Sequence, residues 1–168
     1  MTERLDGTLE VELQVRGDTL FDGYLNRPDA TEASFDGPWF RTGDAAYQDE
    51  NDYVYIYDRV KDMIVSGGEN VYPAEVENAL MKHPGIADVA VIGVPHPKWS
   101  ERPLACVVVN PGDSLTKDEV LDHIRGSLAK WQVPDDVVFI DEVPKTSVGK
   151  FSKKTLRERF ADYVLPEN

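Results

Sequence analysis

Six cations near the C-terminal end, Lys145, Lys150, Lys153, Lys154, Arg157 and Arg159, stand with only Glu158 between them to oppose their charge. A local basic patch in an otherwise acidic chain points to a phosphorylated ligand. Upstream, residues 58–77 pack charged side chains, the apolar run Met63-Ile64-Val65, the pair Gly67-Gly68 after Ser66, and the proline-started stretch from Pro73 into one segment. Glycine lacks Cβ and takes positive φ at little cost, so the backbone there can turn tightly or let a ligand lie against it. A hairpin turn is the plainer account of the same residues, and both stay open at this point. Lys150 by itself is an ordinary solvated loop lysine, Arg59 an ordinary partner for Asp58 or Asp62, and Asp44 after Gly43 an ordinary turn residue.

The elements that would position these residues follow from periodicity. Residues 11–15 alternate as on a half-buried strand, and Asn26-Arg27-Pro28-Asp29 is turn-like. A strand pair is expected over 45–47 and 53–57 around the polar turn 49–52. Met63-Ile64-Val65 forms a short strand, and Pro73 opens a helix with Glu75 and Glu77 near its N-terminus and Val76, Ala79 and Leu80 on one face, ending near His83-Pro84-Gly85. Beyond it the pattern becomes a compact α/β unit, with strands over 86–94, 104–109 and 137–140. Thr116 and Glu119 make a capping box for a helix burying Val120, Leu121, Ile124 and Leu128. Ser152 caps a last helix that buries Leu156 and Phe160. Trp99 beside Lys98 and Trp131 beside Lys130 suit loop packing or stacking on a flat ligand, with packing the simpler reading.

Composition bounds the function. The 168 residues hold one domain, or a small domain and part of another. With 31 acidic against 18 basic side chains the formal charge is −13, which argues against nucleic acid or anionic membranes as main partners. Apolar runs are far too short to cross a bilayer and the first residues form no secretion signal, so the expected location is cytoplasmic. Cys106 sits within an apolar run, as a buried small hydrophobe would. His83, His96 and His123 lack partners at ligand spacing, and no structural metal is expected.

Three stretches carry a family resemblance. Residues 59–62 (Arg-Val-Lys-Asp) with Ser66-Gly67-Gly68-Glu69-Asn70-Val71-Tyr72-Pro73 resemble the hinge motif of the adenylate-forming acyl-CoA synthetases, the superfamily of fatty-acyl-CoA ligases, luciferases and peptide-synthetase adenylation domains. Phe40-Arg41-Thr42-Gly43-Asp44 resembles the ribose-binding signature, and Pro144-Lys145-Thr146-Ser147-Val148-Gly149-Lys150 the catalytic-lysine loop. The likeness covers nearly the whole chain and is greatest to medium- and long-chain fatty-acyl-CoA ligases. Residues 10–13 replace a usual glycine, and Ser100 stands where relatives often have glycine.

The resemblance implies an α+β chain: residues 1–58 as the β-rich edge of a large N-terminal AMP-binding domain, 59–61 as hinge, and 62–168 as a mobile C-terminal domain with a short sheet and helices. It implies Asp44 and Arg59 on the ribose of ATP or AMP, Lys61 as the pivot, and Lys150 as the catalytic cation. Ser66, Gly67 and Gly68 would line the passage of the coenzyme A pantetheine. ATP and coenzyme A are the implied cosubstrates, with Mg2+ carried by ATP and held mainly by an N-terminal part upstream of Met1. That part would also supply the phosphate loop and acyl pocket, so this chain alone is expected to be inactive and to self-associate. The alternatives are a non-catalytic nucleotide- or CoA-binding module, a module completing a separate N-terminal protein in trans, or a ligase for an aryl or short-chain acid.

Overall fold

Alternation at the start of the chain makes a strand, β2 (Leu9–Val15), which pairs antiparallel with β1 (Thr2–Glu3). The computed structural model describes residues 2–3, 9–147 and 149–166, with side chains from Glu12 onward. The chain divides into two compact units, Met1–Lys61 and Asp62–Asn168.

In the first unit the turn-like residues 26–29 prove to be the approach to a helix, α1 (Pro28–Ser34), which the sequence reading did not anticipate. Pro28 opens it, and Arg27 binds Asp29 through Nε (3.0 Å) and Nη2 (2.9 Å), holding the N-terminal turn. β3 (Phe35–Asp36) and β4 (Trp39–Gln48) follow. β4 is the spine of this sheet. One side pairs with β2; the other pairs first with β3 and then with β5 (Val54–Arg59). The polar turn between β4 and β5 is tied by Asp49, whose Oδ1 accepts from the backbone N–H groups of Asn51 and Tyr53, both at 2.9 Å. Phe21, Tyr24, Phe35 and Phe40 form an aromatic cluster with ring centroids 5.1–5.7 Å apart.

A 3-10 turn, Val60–Asp62, spans the boundary. The second unit then runs β6 (Ile64–Ser66), β7 (Glu69–Val71), α2 (Pro73–Leu80), β8 (Ile86–His96), β9 (Ser100–Val109), α3 (Lys117–Ile124), β10 (Asp136–Phe139) and α4 (Lys153–Arg159). β9 is central: β8 pairs with it antiparallel along its length, β10 pairs with it parallel over 104–107, and β6 touches it at Ser100. Both faces of this sheet are covered, so β8 and β9 read as almost continuous apolar runs. Val89, Val91, Ala105 and Val107 face a core shared with α2 and α3, through Val76, Leu80, Val120 and Ile124. Ala90, Ile92, Leu104 and Cys106 face a second core closed by Leu156 of α4 and by Ile140 and Val143. Each buried Val, Leu or Ile among them contributes about 1.5–3 kcal/mol, against about 0–1 for an exposed ion pair, so these two cores hold the unit together.

The capping box of α3 is present, with the Thr116 hydroxyl accepting from the Glu119 N–H (3.3 Å) and the Glu119 carboxylate from the Thr116 N–H (2.8 Å). Ser152 caps α4. Burial pushes the Cys106 thiol up to about 12. Asp136, also buried, accepts from Lys117 Nζ (2.9 Å), the Tyr163 hydroxyl (2.5 Å) and the Val137 N–H (2.7 Å). Burial alone would raise its pKa, but the bonds from Lys117, Tyr163 and Val137 win and hold it below the usual carboxylate range.

Because the folded-state value of Asp136 is depressed, its contribution is present above the unfolded value of about 3.9 and is lost as pH falls through the folded value. Urea unfolding of the chain measured from neutral pH downward is expected to show this acid loss, and Asp136→Asn to flatten it. An unchanged acid slope in the variant would remove Asp136 from that role. A second expectation concerns β5, an edge strand on which Val54 (52%) and Ile56 (59%) lie exposed, with Tyr53 (67%) exposed just before it. Such an edge invites pairing with another copy. Sedimentation should show association at high concentration, reduced by the double variant Val54→Lys, Ile56→Lys; a clean monomer of the parent chain would contradict it.

Candidate functional site

Arg41-Thr42-Gly43-Asp44 lies at a bulge of β4. Glu12 pairs with Ala45 and Gln14 with Arg41, so Thr42, Gly43 and Asp44 oppose the single residue Leu13. A bulge re-aims the side chain that follows it. The Thr42 hydroxyl donates to the Leu13 carbonyl (2.8 Å) and accepts from the Asp44 N–H (3.1 Å), which fixes the displaced backbone. On the other side of β4, Asp44 stands opposite Arg59 in register, and the Arg59 guanidinium donates to Asp44 Oδ1. The structure thus brings this pair together. The sequence allowed Arg59 to pair with Asp58 or Asp62 instead; Asp58 accepts from the Arg59 N–H (2.7 Å), and Asp62 is bound by Arg157. With Oδ1 engaged, Asp44 Oδ2 remains able to accept from a ligand hydroxyl.

The glycine pair turns a hairpin between β6 and β7. Gly67 has φ +62°, and a Cβ on it would lie 2.8 Å from the Trp99 ring, so glycine is required there by conformation and by space. The Gly67 N–H donates to the Trp99 carbonyl (2.9 Å). Gly67 and Gly68 are exposed, whereas Ser66, expected on the same face, is buried with its hydroxyl accepting from Arg102 Nη1 (2.8 Å). The polar atom of Ser66 is thus spent inward, and the exposed part of this turn is Gly67-Gly68. Ser100, in place of a frequent glycine, takes φ +68°. Trp99 is seated on Gly67 with Lys98 Nζ 4.3 Å above its ring, and Trp131 packs against the α2–α3 core.

Lys150 is exposed at the end of a tight loop. Val148 lies outside the described residues. The Thr146 N–H donates to the Lys150 carbonyl (2.7 Å), the Gly149 N–H to the Thr146 carbonyl (2.9 Å) and the Ser152 N–H to the Pro144 carbonyl (2.7 Å), closing the loop on itself. The basic patch read from the sequence is largely neutralised, and two of the acidic partners arrive from elements distant in the chain. Lys153 pairs with Glu77 of α2 (2.8 Å), Arg157 with Asp62 (2.8 Å) and Lys154 with Glu158 (3.8 Å). Lys145 and Arg159 lie beside the rings of Phe151 and Phe160, at 5.9 and 5.4 Å. Among the described residues, Lys150 alone of the six has neither a carboxylate nor an aromatic partner.

Lys61 is exposed and is the last residue of the first unit. No hydrogen bond or ion pair joins Lys150 to the Ser66–Gly68 turn among the described residues. Sequence reasoning missed Arg102, Glu101, Asp62 and Glu77 as site-building residues; the signal available was a charged pair, Glu101-Arg102, opening an apolar strand. His83 and His123 meet edge to face with centroids 4.9 Å apart, and His96 Nδ1 accepts from the N–H groups of Lys98 (3.1 Å) and Trp99 (3.2 Å). Among the described residues no group of three or more His, Cys, Asp or Glu is arranged to hold a metal ion, and no helix is long and apolar enough to cross a membrane.

The profile of the AMP-binding enzyme C-terminal domain matches residues 75–150. A long-chain-fatty-acid–CoA ligase of Thermus thermophilus is 48% identical over 161 residues, which cover 94% of this chain and 29% of the relative. A 3-methylmercaptopropionyl-CoA ligase of Ruegeria pomeroyi is 48% identical over 159 residues, 95% of this chain and 29% of the relative. The crystal structure of ATP-bound MatB from Rhodopseudomonas palustris superposes with a TM-score of 0.82 at 40% identity, over 89% of this chain and 30% of that one. The chain therefore spans less than a third of the length of these relatives. Matched motifs, sequence identity along almost its whole length and a shared fold lead to one conclusion: the chain carries the AMP-binding enzyme C-terminal domain and belongs to the adenylate-forming enzymes.

Proposed function

We propose that the chain is the C-terminal portion of an ATP-dependent acid:coenzyme A ligase, with fatty acids as the substrate class. The observation that supports this most is Lys150: in a stretch where the other cations have carboxylate or aromatic partners, it is exposed and has no such partner among the described residues, on a tight loop between folded elements. In the first half-reaction a carboxylate oxygen of the acid bonds to the α-phosphorus of ATP. The bond to pyrophosphate breaks and its electron pair leaves with that group. Two anions must approach, and an ammonium reaching both attacking and phosphoryl oxygens lowers the barrier as charge builds. Asp44 Oδ2 accepts from the ribose hydroxyls, while Arg59 orients the carboxylate through Oδ1 and adds its own contact to the ribose.

In the second half-reaction the coenzyme A sulfur bonds to the acyl carbon, the carbon–oxygen bond to AMP breaks with its electron pair leaving on AMP, and the thiol proton passes to solvent. Gly67 and Gly68, exposed and without side chains, let the pantetheine arm run against the backbone. Lys61 is the pivot whose backbone angles change between the two steps, as hinge residues do. Mg2+ travels with the triphosphate; the described residues offer no cluster to hold it, and no step here runs through it.

The test joins this chain to the N-terminal portion of the Thermus thermophilus ligase at the matching position and follows each half-reaction separately. The unsubstituted hybrid should make acyl-adenylate and thioester, and a hybrid that makes neither defeats the reading. Lys150→Ala should slow adenylation by about 100-fold or more while leaving thioester formation from preformed acyl-adenylate within about threefold. Equal losses in both steps would refute that assignment. Lys61→Pro should abolish one half-reaction and spare the other, and normal rates in both would remove Lys61 as the pivot.

A further inference from the structure

Arg102 opens an apolar strand, is 8% exposed, and uses all five of its N–H donors. Nε and Nη2 grip Asp135 with two bonds, at 2.9 and 2.5 Å. Nη2 also donates to the Val133 carbonyl (3.1 Å), and Nη1 to the Trp131 carbonyl (2.8 Å) and the Ser66 hydroxyl (2.8 Å). One planar group therefore ties three segments: β9, the loop at 131–135, and the β6 end of the glycine hairpin. A fork of fixed geometry does this where a lysine ammonium would not.

Its neighbours hold the same hairpin. The Gly67 N–H donates to the Trp99 carbonyl (2.9 Å), Ser66 pairs with Ser100, and the Val65 N–H donates to Glu101 Oε2 (3.2 Å). The successive residues 99–102 thus fix residues 65–67 one after another. The exposed tip, Gly67-Gly68, has no side chain of its own to anchor it, so its position is set from beneath.

We propose that Arg102 is a positioning residue for the thioester-forming step: through Ser66 it sets the Gly67-Gly68 tip against which the thiol-bearing arm of coenzyme A runs. This rests on the reading of the chain as part of an acid:CoA ligase. Adenylation, which draws on Lys150, Asp44 and Arg59, does not need the tip and is spared.

Two measurements test it. In the 168-residue chain, hydrogen exchange of the Gly67 amide should quicken about tenfold or more in Arg102→Met and in Ser66→Ala, while the amides of residues 90–92 in the central strand keep the parental rate. In the hybrid ligase, Arg102→Met, Arg102→Lys and Ser66→Ala should lower kcat/KM for coenzyme A by about 10- to 100-fold and change adenylation by no more than about twofold. Arg102→Lys should not rescue, because the charge is kept and the fork is lost. A Gly67 amide that exchanges at the parental rate overturns the proposal, as does a parallel fall of both half-reactions or full rescue by lysine. An unsubstituted hybrid without activity defeats the functional reading alone and leaves the exchange result to decide whether Arg102 holds the tip.

Discussion

The pairing of β8 with β9, buried on both faces, is the constraint on which the second unit depends. Side chains alternate between the two cores with a period of two, so a one-residue slip would exchange the contents of both faces at once. That penalty fixes the register, and the register fixes what lies at the strand ends. At one end the hairpin turn at 96–99 is locked by His96, which places the Trp99 carbonyl and ring over Gly67. Along the opposite edge of β9, β10 delivers Asp136 to Lys117 and Tyr163. Both arrangements are anchored at the ends of the buried ladder.

Charge is used in two ways in this acidic chain. Buried or half-buried carboxylates, Asp62, Glu77, Asp135 and Asp136, are each matched to a cation from another element, which avoids the cost of an unpaired buried charge. Among the described residues Lys150 has no such match, and its loop is tied by the Thr146, Gly149 and Ser152 N–H groups. Gly149, at φ +81°, lets that loop turn tightly just ahead of Lys150.

Much of the fold was legible in the sequence because the responsible signals are local. The capping box at Thr116 and Glu119, the proline that opens α2, and the apolar runs of β8 and β9 each act within a few residues. α1 was missed because its signals, Asn26-Arg27-Pro28-Asp29, serve a turn and a helix start equally, and it buries no side chain to give a periodic face. At the candidate site, Gly67, Gly68 and Lys150 could be singled out only through the motif resemblance, since by type and neighbours they read as a hairpin turn and a solvated lysine. The inward turn of Ser66 and the neutralisation of Lys153 and Arg157 could not, since each depends on a partner 36, 76 or 95 residues away, as Arg102, Glu77 and Asp62 are. Long-range ion pairs leave no pattern in a single sequence beyond the charges themselves.

The ion pair between Asp62 and Arg157 carries a mechanical meaning. Asp62 is the first residue of the second unit, and Arg157 lies on the helix that follows the Lys150 loop; Lys153, one turn earlier on that helix, is pinned to α2 through Glu77, which also accepts from the Val91 N–H (2.7 Å). The near end of the unit and the element carrying the loop are thereby braced to each other and to the central strands. Bending α4 away from Asp62 and α2 would have to break both ion pairs, so the stretch from Asp62 to α4 behaves as one stiff piece.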